Sequence, residues 1–238
     1  MLKVRFYDLK IRDYKEVWDI QEQLFAEMLP ENAAETFAGH LIFVEHPHVL
    51  TMGNSGNDKN LLVNQEQLEK IGMKFYRINR GGDITYHGQG QLVGYPIIRL
   101  DRFQIGIRTY IEKLEETIIA TLHDFGIPSS RLPGATGVWI DAGSQAARKI
   151  CAIGVRASRQ VTMHGFAFNI NTDLNYYRYI NPCGFIDKGV TSMQQELGAA
   201  LDSQLVKEKV AQHFSRIFGA DLVLTPSLND NCDPCKGR

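Results

Sequence analysis

Between residues 80 and 96 the chain reads Arg-Gly-Gly-Asp-Ile-Thr-Tyr-His-Gly-Gln-Gly-Gln-Leu-Val-Gly-Tyr-Pro. Gly81, Gly82, Gly88 and Gly90 rule out a helix interior, and the residues among them (Arg80, Asp83, Thr85, Tyr86, His87, Gln89) are unlike those of an ordinary surface loop. Glycine tolerates positive φ and lets backbone come close to a bound group. A loop or hairpin of this composition can aim backbone N–H groups and a histidine at a small ligand. The apolar run over residues 92–100 reads as a buried strand beneath it. A plain glycine-rich turn between two strands has the same pattern, so the stretch constrains the fold more than the function.

Around it the hydrophobic periodicity alternates between helix and strand. Residues 4–9 read as an opening strand, and Asp13 with Glu16 resembles a capping box for a helix presenting Val17, Leu24, Phe25 and Met28 on one face. A short apolar strand over residues 41–44 delivers Glu45, His46, His48 and Thr51 to its C-terminal end, where open α/β sheets usually keep their ligand sites. A polar loop (54–60), a short helix (65–71) and a strand (74–78) then lead into the glycine stretch. Ile107, Ile111, Leu114, Ile118, Leu122 and Phe125 repeat at helical spacing and Gly126 closes that helix. Strands follow at 138–141, 149–156 and 161–170, the last expected to be half-buried because Phe166, Phe168 and Ile170 alternate with Ala167 and Asn169. A final helix marked by Leu205, Val210, Phe214, Ile217 and Phe218 stops at Gly219 before a strand at 221–225. The fold class is α+β, a mixed sheet flanked by helices. One domain is expected over residues 1–226, followed by a polar tail over 227–238.

At 238 residues and 44% hydrophobic, the chain can bury a sizeable core. Its 26 basic and 27 acidic residues leave a net charge of −1, with no basic run to attract nucleic acid or an anionic membrane. The N-terminal residues lack an apolar signal core and no window is apolar enough to span a bilayer, so a cytoplasmic location is expected. Four cysteines, Cys151, Cys183, Cys232 and Cys235, are too sparse for a disulfide framework and are expected to be reduced. Cys232 and Cys235 form one Cys-x-x-Cys pair in the polar terminus, which reads as a frayed, non-catalytic tail, and no metal site is expected.

Cys183 stands in Asn-Pro-Cys-Gly, a tight turn that presents its thiol instead of packing it. A free cysteine is only slightly ionised at neutral pH, so a nucleophile needs a nearby cation or base. Lys149, His87 and His164 are the candidates. Lys149 is the most informative, because it opens the otherwise apolar strand Lys-Ile-Cys-Ala-Ile-Gly-Val, where an ammonium is costly without a partner. An inert thiol, a solvent-facing lysine and histidines that only satisfy backbone groups fit the same residues.

Taken in order, four segments resemble the lipoyl(octanoyl) transferases: the glycine stretch from Arg80, the strand from Lys149 to Arg156, His164-Gly-Phe-Ala-Phe-Asn-Ile-Asn with Asp173-Leu174, and Ile180-Asn-Pro-Cys-Gly. The resemblance implies the catalytic-domain fold of biotin and lipoate protein ligases. It implies transfer of an octanoyl group from octanoyl-acyl carrier protein to a lysine of lipoyl-domain proteins, such as 2-oxoacid dehydrogenase E2 subunits and the glycine cleavage H protein. No cofactor is implied. Cys183 matches the family's thioester-forming nucleophile and Lys149 the lysine that lowers its pKa. Arg80, Gly81, Gly82, Asp83, Ile84, Thr85, Tyr86 and His87 match segments lining the acyl substrate, as do Ala152, Ile153, Gly154, Gly165, Phe166 and Ala167. His164 is a possible supporting residue. His48 and the Cys-x-x-Cys tail lie outside the family's pattern. An ATP-dependent ligase of the same fold and a non-catalytic module that binds lipoyl domains are the alternatives.

Overall fold

The computed structural model describes residues 1–29, 36–182 and 188–226. The chain opens on β1 (Leu2–Ile11), after which the Asp13 carboxylate accepts the Lys15 N–H at 2.8 Å and starts α1 (Tyr14–Glu27). Glu16 lies 3.9 Å from Arg12, so an ion pair stands where the reciprocal half of the expected capping box would be. β2 (Gly39–Glu45) and β3 (Val49–Met52) follow, then α2 (Gln65–Lys70), β4 (Lys74–Arg77), β5 (Ile84–His87) and β6 (Gln91–Ile98). The long amphipathic helix is α3 (Ile107–Asp124), stopped by Gly126 at φ +73°. The second half runs β7 (Ser130–Leu132), β8 (Ala135–Ile140), β9 (Arg148–Ser158), β10 (Val161–Asn169), β11 (Gly189–Val190), α4 (Met193–Leu197), α5 (Ser203–Phe218) and β12 (Ala220–Leu224).

The large sheet has the order β12-β1-β2-β6-β10-β9-β8-β7, with parallel pairs at β12-β1-β2 and antiparallel pairs beyond. β3 stands between β4 and β5 in a separate three-stranded sheet. This is the mixed sheet flanked by helices that the order of elements implied. α3 and α5 cover one face of the large sheet, where Leu114, Ile118, Leu122, Val210 and Phe214 pack on Leu41, Phe43, Phe166 and Phe168. α1 covers the other, setting Val17, Leu24 and Phe25 against Ile42, Val93 and Met163. β10 is therefore buried along its whole length instead of half-buried, because both faces of the sheet at that strand carry a helix layer. No helix among the described residues is long and apolar enough to cross a membrane.

Two features of the strands set up the functional region. β9 is longer than its partner β10, whose pairing ends at Cys151. Beyond that point β11 takes β10's place beside β9, pairing Val190 with Lys149 in parallel. Further along β10, β6 and β10 approach so tightly that a Cβ on Gly165 would lie 2.1 Å from the Gly94 carbonyl oxygen.

Candidate active site

A cavity of about 470 Å³ lies between the glycine stretch and strands β6, β9 and β10. Residues 80–85 and His87 form one wall and residues 152–155 and 164–167 the other. The Gly81 N–H donates to Val155 O at 2.9 Å and ties the two walls together. In the glycine stretch Gly82 (φ +86°) and Gly90 (φ +78°) adopt the left-handed backbone that the composition suggested. Tyr86 is the exception among the anticipated lining residues. Strand alternation turns it away from the cavity, where its hydroxyl meets His48 Nδ1 at 2.8 Å and its ring stacks on Tyr176.

The cavity wall is held by buried polar groups. Arg80 Nη2 donates to Thr51 O at 2.7 Å and to Thr51 Oγ1 at 3.1 Å. Asp83 accepts from the backbone N–H groups of Asn57 and Ile84 and from the Asn60 amide, which folds the 54–60 loop onto the glycine stretch. The segment after β2, anticipated as a ligand site, does not line the cavity. Glu45 accepts from the Gly90 N–H and from Lys207, and His46 bridges Arg12 O and the Tyr95 hydroxyl, so the residues after β2 brace other elements. The rule for open parallel sheets does not apply here because β2's neighbour β6 runs antiparallel.

Two of the three candidate bases are removed by their surroundings. Burial pushes His87 down to about 3, with a lesser contribution from His46, and both its ring nitrogens are engaged, by Thr51 at 3.3 Å and Gln91 at 2.8 Å. Burial likewise lowers His164 to about 3, helped by the Arg80 charge, and its Nε2 meets Asn79 Oδ1 at 2.8 Å. His164 also sits at φ +61°, a conformation unusual for a non-glycine residue, with its N–H donating to Gln21 Oε1. Both imidazoles are neutral wall groups. The Cys151 thiol is fully buried and its pKa is raised by that burial, so it behaves as a packed core group.

Lys149 remains. It stands at the head of β9, only 7% exposed, with its ammonium 4.7 Å from the centre of the Trp139 ring. It lines the cavity and also a narrow recess that it shares with Thr85, Ala152, Asn169, Tyr177, Pro182 and Val190. Cys183 lies outside the described residues, as do Cys232 and Cys235. Pro182, its covalent neighbour, is described, and it faces the same recess as Lys149.

Several lining residues were not anticipated. Tyr14 comes from the first turn of α1, Val93 and Tyr95 from β6, and residues 134–136 from the turn into β8. Tyr95 alone carried a signal, since a tyrosine within a wholly apolar strand must find a partner for its hydroxyl. It finds His46 at 2.9 Å.

A mixed sheet with helices on both faces, closing a narrow cavity against a glycine-rich wall, defines a catalytic domain of the lipoate ligase type. Its backbone superposes on a bipartite lipoate protein ligase from Thermoplasma acidophilum with a TM-score of 0.74, covering 96% of this chain and 89% of that one at 16% identity. Residues 13–215 match the lipoyl protein ligase A/B catalytic domain. Proteins named octanoyltransferase are 51% identical in Flavobacterium johnsoniae (93% of this chain, 99% of that protein) and 50% identical in Christiangramia forsetii (92% and 97%). The chain belongs to the octanoyltransferase family of acyltransferases.

Proposed function

We propose that this protein moves an octanoyl group from octanoyl-acyl carrier protein to a lysine of lipoyl-domain proteins in the cytoplasm, through a thioester on Cys183. Residues 1–226 act in this reading as one catalytic unit. Lys149 keeps the thiol ionised. The observation that carries the proposal is that the described chain on both sides of Cys183 reaches Lys149: Pro182 and Val190 share a recess with it, and Val190 pairs with its backbone.

The chemistry follows from the groups. The Cys183 thiolate attacks the carbonyl carbon of the donor thioester; a C–S bond forms, the carrier's sulfur leaves, and the Lys149 ammonium gives that sulfur its proton. A neutral acceptor amine then attacks the enzyme thioester. A C–N bond forms, the Cys183 thiolate is released, and Lys149 takes up the proton lost by the nitrogen. Exchange between two thioesters is close to balanced in energy, so the first step requires no activating nucleotide. The cavity, with small residues at Gly81, Gly82, Gly154, Gly165 and Ala167, is of a size suited to an eight-carbon chain.

Incubation with octanoyl-acyl carrier protein and no ATP should add one octanoyl mass to Cys183, and Cys183→Ser should abolish both the adduct and transfer. Lys149→Ala should cut turnover at least about 100-fold and move alkylation of Cys183 to higher pH. Transfer that depends strictly on ATP would instead identify a ligase and reject the proposal.

A further inference from the structure

A buried chain of hydrogen bonds runs from the cavity wall to the strand that follows Cys183. Arg80 Nη2 donates to Thr51 Oγ1 at 3.1 Å, and the Thr51 hydroxyl donates to His87 Nε2 at 3.3 Å. Gln91 Nε2 donates to Asn169 Oδ1 at 2.9 Å and to Tyr86 O at 3.1 Å, so its Oε1 accepts from His87 Nδ1 at 2.8 Å. Asn169 Nδ2 then donates to Thr191 O at 3.0 Å, and the Thr191 N–H donates to Lys149 O at 3.0 Å. Thr51, His87, Gln91, Asn169 and Thr191 are all buried. The side-chain bonds from Arg80 to Thr191 all point the same way, so each polarises the next.

Asn169 occupies the critical place in this chain. It is the last residue of β10, at the point where β10 ends beside β9 and β11 takes over. Its amide therefore splices two strands that share no ladder of their own. Its oxygen also lies 3.5 Å from the Tyr177 hydroxyl, on the segment that leads to Pro182. One side chain thus binds the chain before Cys183, the chain after it, and the glycine stretch.

Resting on the thioester mechanism proposed above, we infer that Asn169 is a positioning residue for the acyl transfer, with Gln91 as its support. Its amide holds β11 and the Tyr177 segment in register beside Lys149, the lysine that serves the thiol in that mechanism. Nothing in Asn169 touches the reacting carbonyl in this scheme. Its effect is felt as geometry.

The test uses the full-length protein as Asn169→Ala and Asn169→Asp, with Asn171→Ala as a matched control. Asn171 also makes a two-way side-chain anchor, to Leu201 O at 2.9 Å and from Leu201 N at 3.0 Å, but toward the loop before α5 and away from Lys149. The Asp variant keeps an acceptor for Gln91 and Tyr177 but sets a carboxylate oxygen, in place of the donor NH2, against Thr191 O. Both Asn169 variants should lose kcat about 10- to 100-fold with KM little changed, as expected when reacting groups shift by an ångström or less. Alkylation of Cys183 should move to higher pH in both. Asn171→Ala should lower the melting temperature comparably while keeping kcat and the alkylation profile. The inference is overturned if the wild-type protein forms the thioester and either Asn169 variant matches it in kcat and pH profile, or if Asn171→Ala shows the same losses. A wild-type protein that takes no octanoyl mass on Cys183 rejects the underlying mechanism instead, a result readable without any variant.

Discussion

Four histidines are buried in this fold with their charged forms disfavoured: His40 and His46 are lowered to about 4, His87 and His164 to about 3, in each case chiefly by burial. In the unfolded chain each titrates near 6.5, so between that value and the folded one the unfolded state binds more protons. The stability they contribute is thus fully present above pH 6.5 and is lost as pH falls toward 4. Moving from pH 7 to pH 5 costs about 2 kcal/mol per histidine, and roughly 5–10 kcal/mol for the four together. That is a large part of the roughly 5–15 kcal/mol that holds a typical domain together. Urea unfolding at pH 7, 6 and 5 should therefore show a steeply falling midpoint. His40→Gln, which keeps an acceptor for the Tyr7 hydroxyl and does not line the cavity, should flatten the decline by roughly 1 kcal/mol per pH unit below pH 6. Equal midpoints at pH 7 and pH 5 would refute the reasoning and show that these imidazoles protonate in place.

Two packing predictions follow from the strands around the cavity. Gly165→Ala would drive a Cβ to 2.1 Å from Gly94 O and 2.7 Å from Pro96 Cδ, and should destabilise by about 3 kcal/mol or more in a thermal melt, because backbone atoms cannot move aside. Cys151→Ala should cost about 1–2 kcal/mol yet leave the octanoyl adduct unchanged in a mass spectrum, separating the packed thiol from the reactive one.

How far the sequence foretold this arrangement depends on how local each signal was. α3 was legible because a rhythm of Leu and Ile sustained over about five turns needs no knowledge of the rest of the chain, and Gly126 stops it by its own conformational freedom. β10 was legible as a strand, yet its burial was misjudged, since the helix covering its second face lies more than a hundred residues away in α1. β3 and β5 escaped notice because each is only four residues long and carries Thr, Tyr or His where a pattern reader expects apolar groups. Thr51 and His87 meet across the small sheet and Tyr86 reaches His48, compensations visible only in three dimensions.

The candidate site divides in the same way. The glycine stretch was conspicuous in its own composition, whereas the 152–154 and 165–167 segments were singled out only by the family resemblance. The neutral state of His87 and His164 had no local signature. It comes from burial among groups supplied by distant segments, such as Tyr14 and His46 beside His87 and Arg80 near both. Tyr86 was misplaced by one step of strand alternation. The approach of Pro182 to Lys149, 33 positions apart in sequence, depends on β10 ending one pair early so that a two-residue strand can slip in.

The pairing of β1 with β12 has a consequence for how the molecule is made. β1 gains its second neighbour only when β12 exists, after the described strands that lie between them in the chain have been made. Until then a nascent chain carries a bare row of backbone donors and acceptors along β1, the kind of exposed edge on which unfinished proteins stick to one another. Shortening the chain before residue 224 should accordingly turn an otherwise well-packed enzyme into one that needs chaperones to stay in solution.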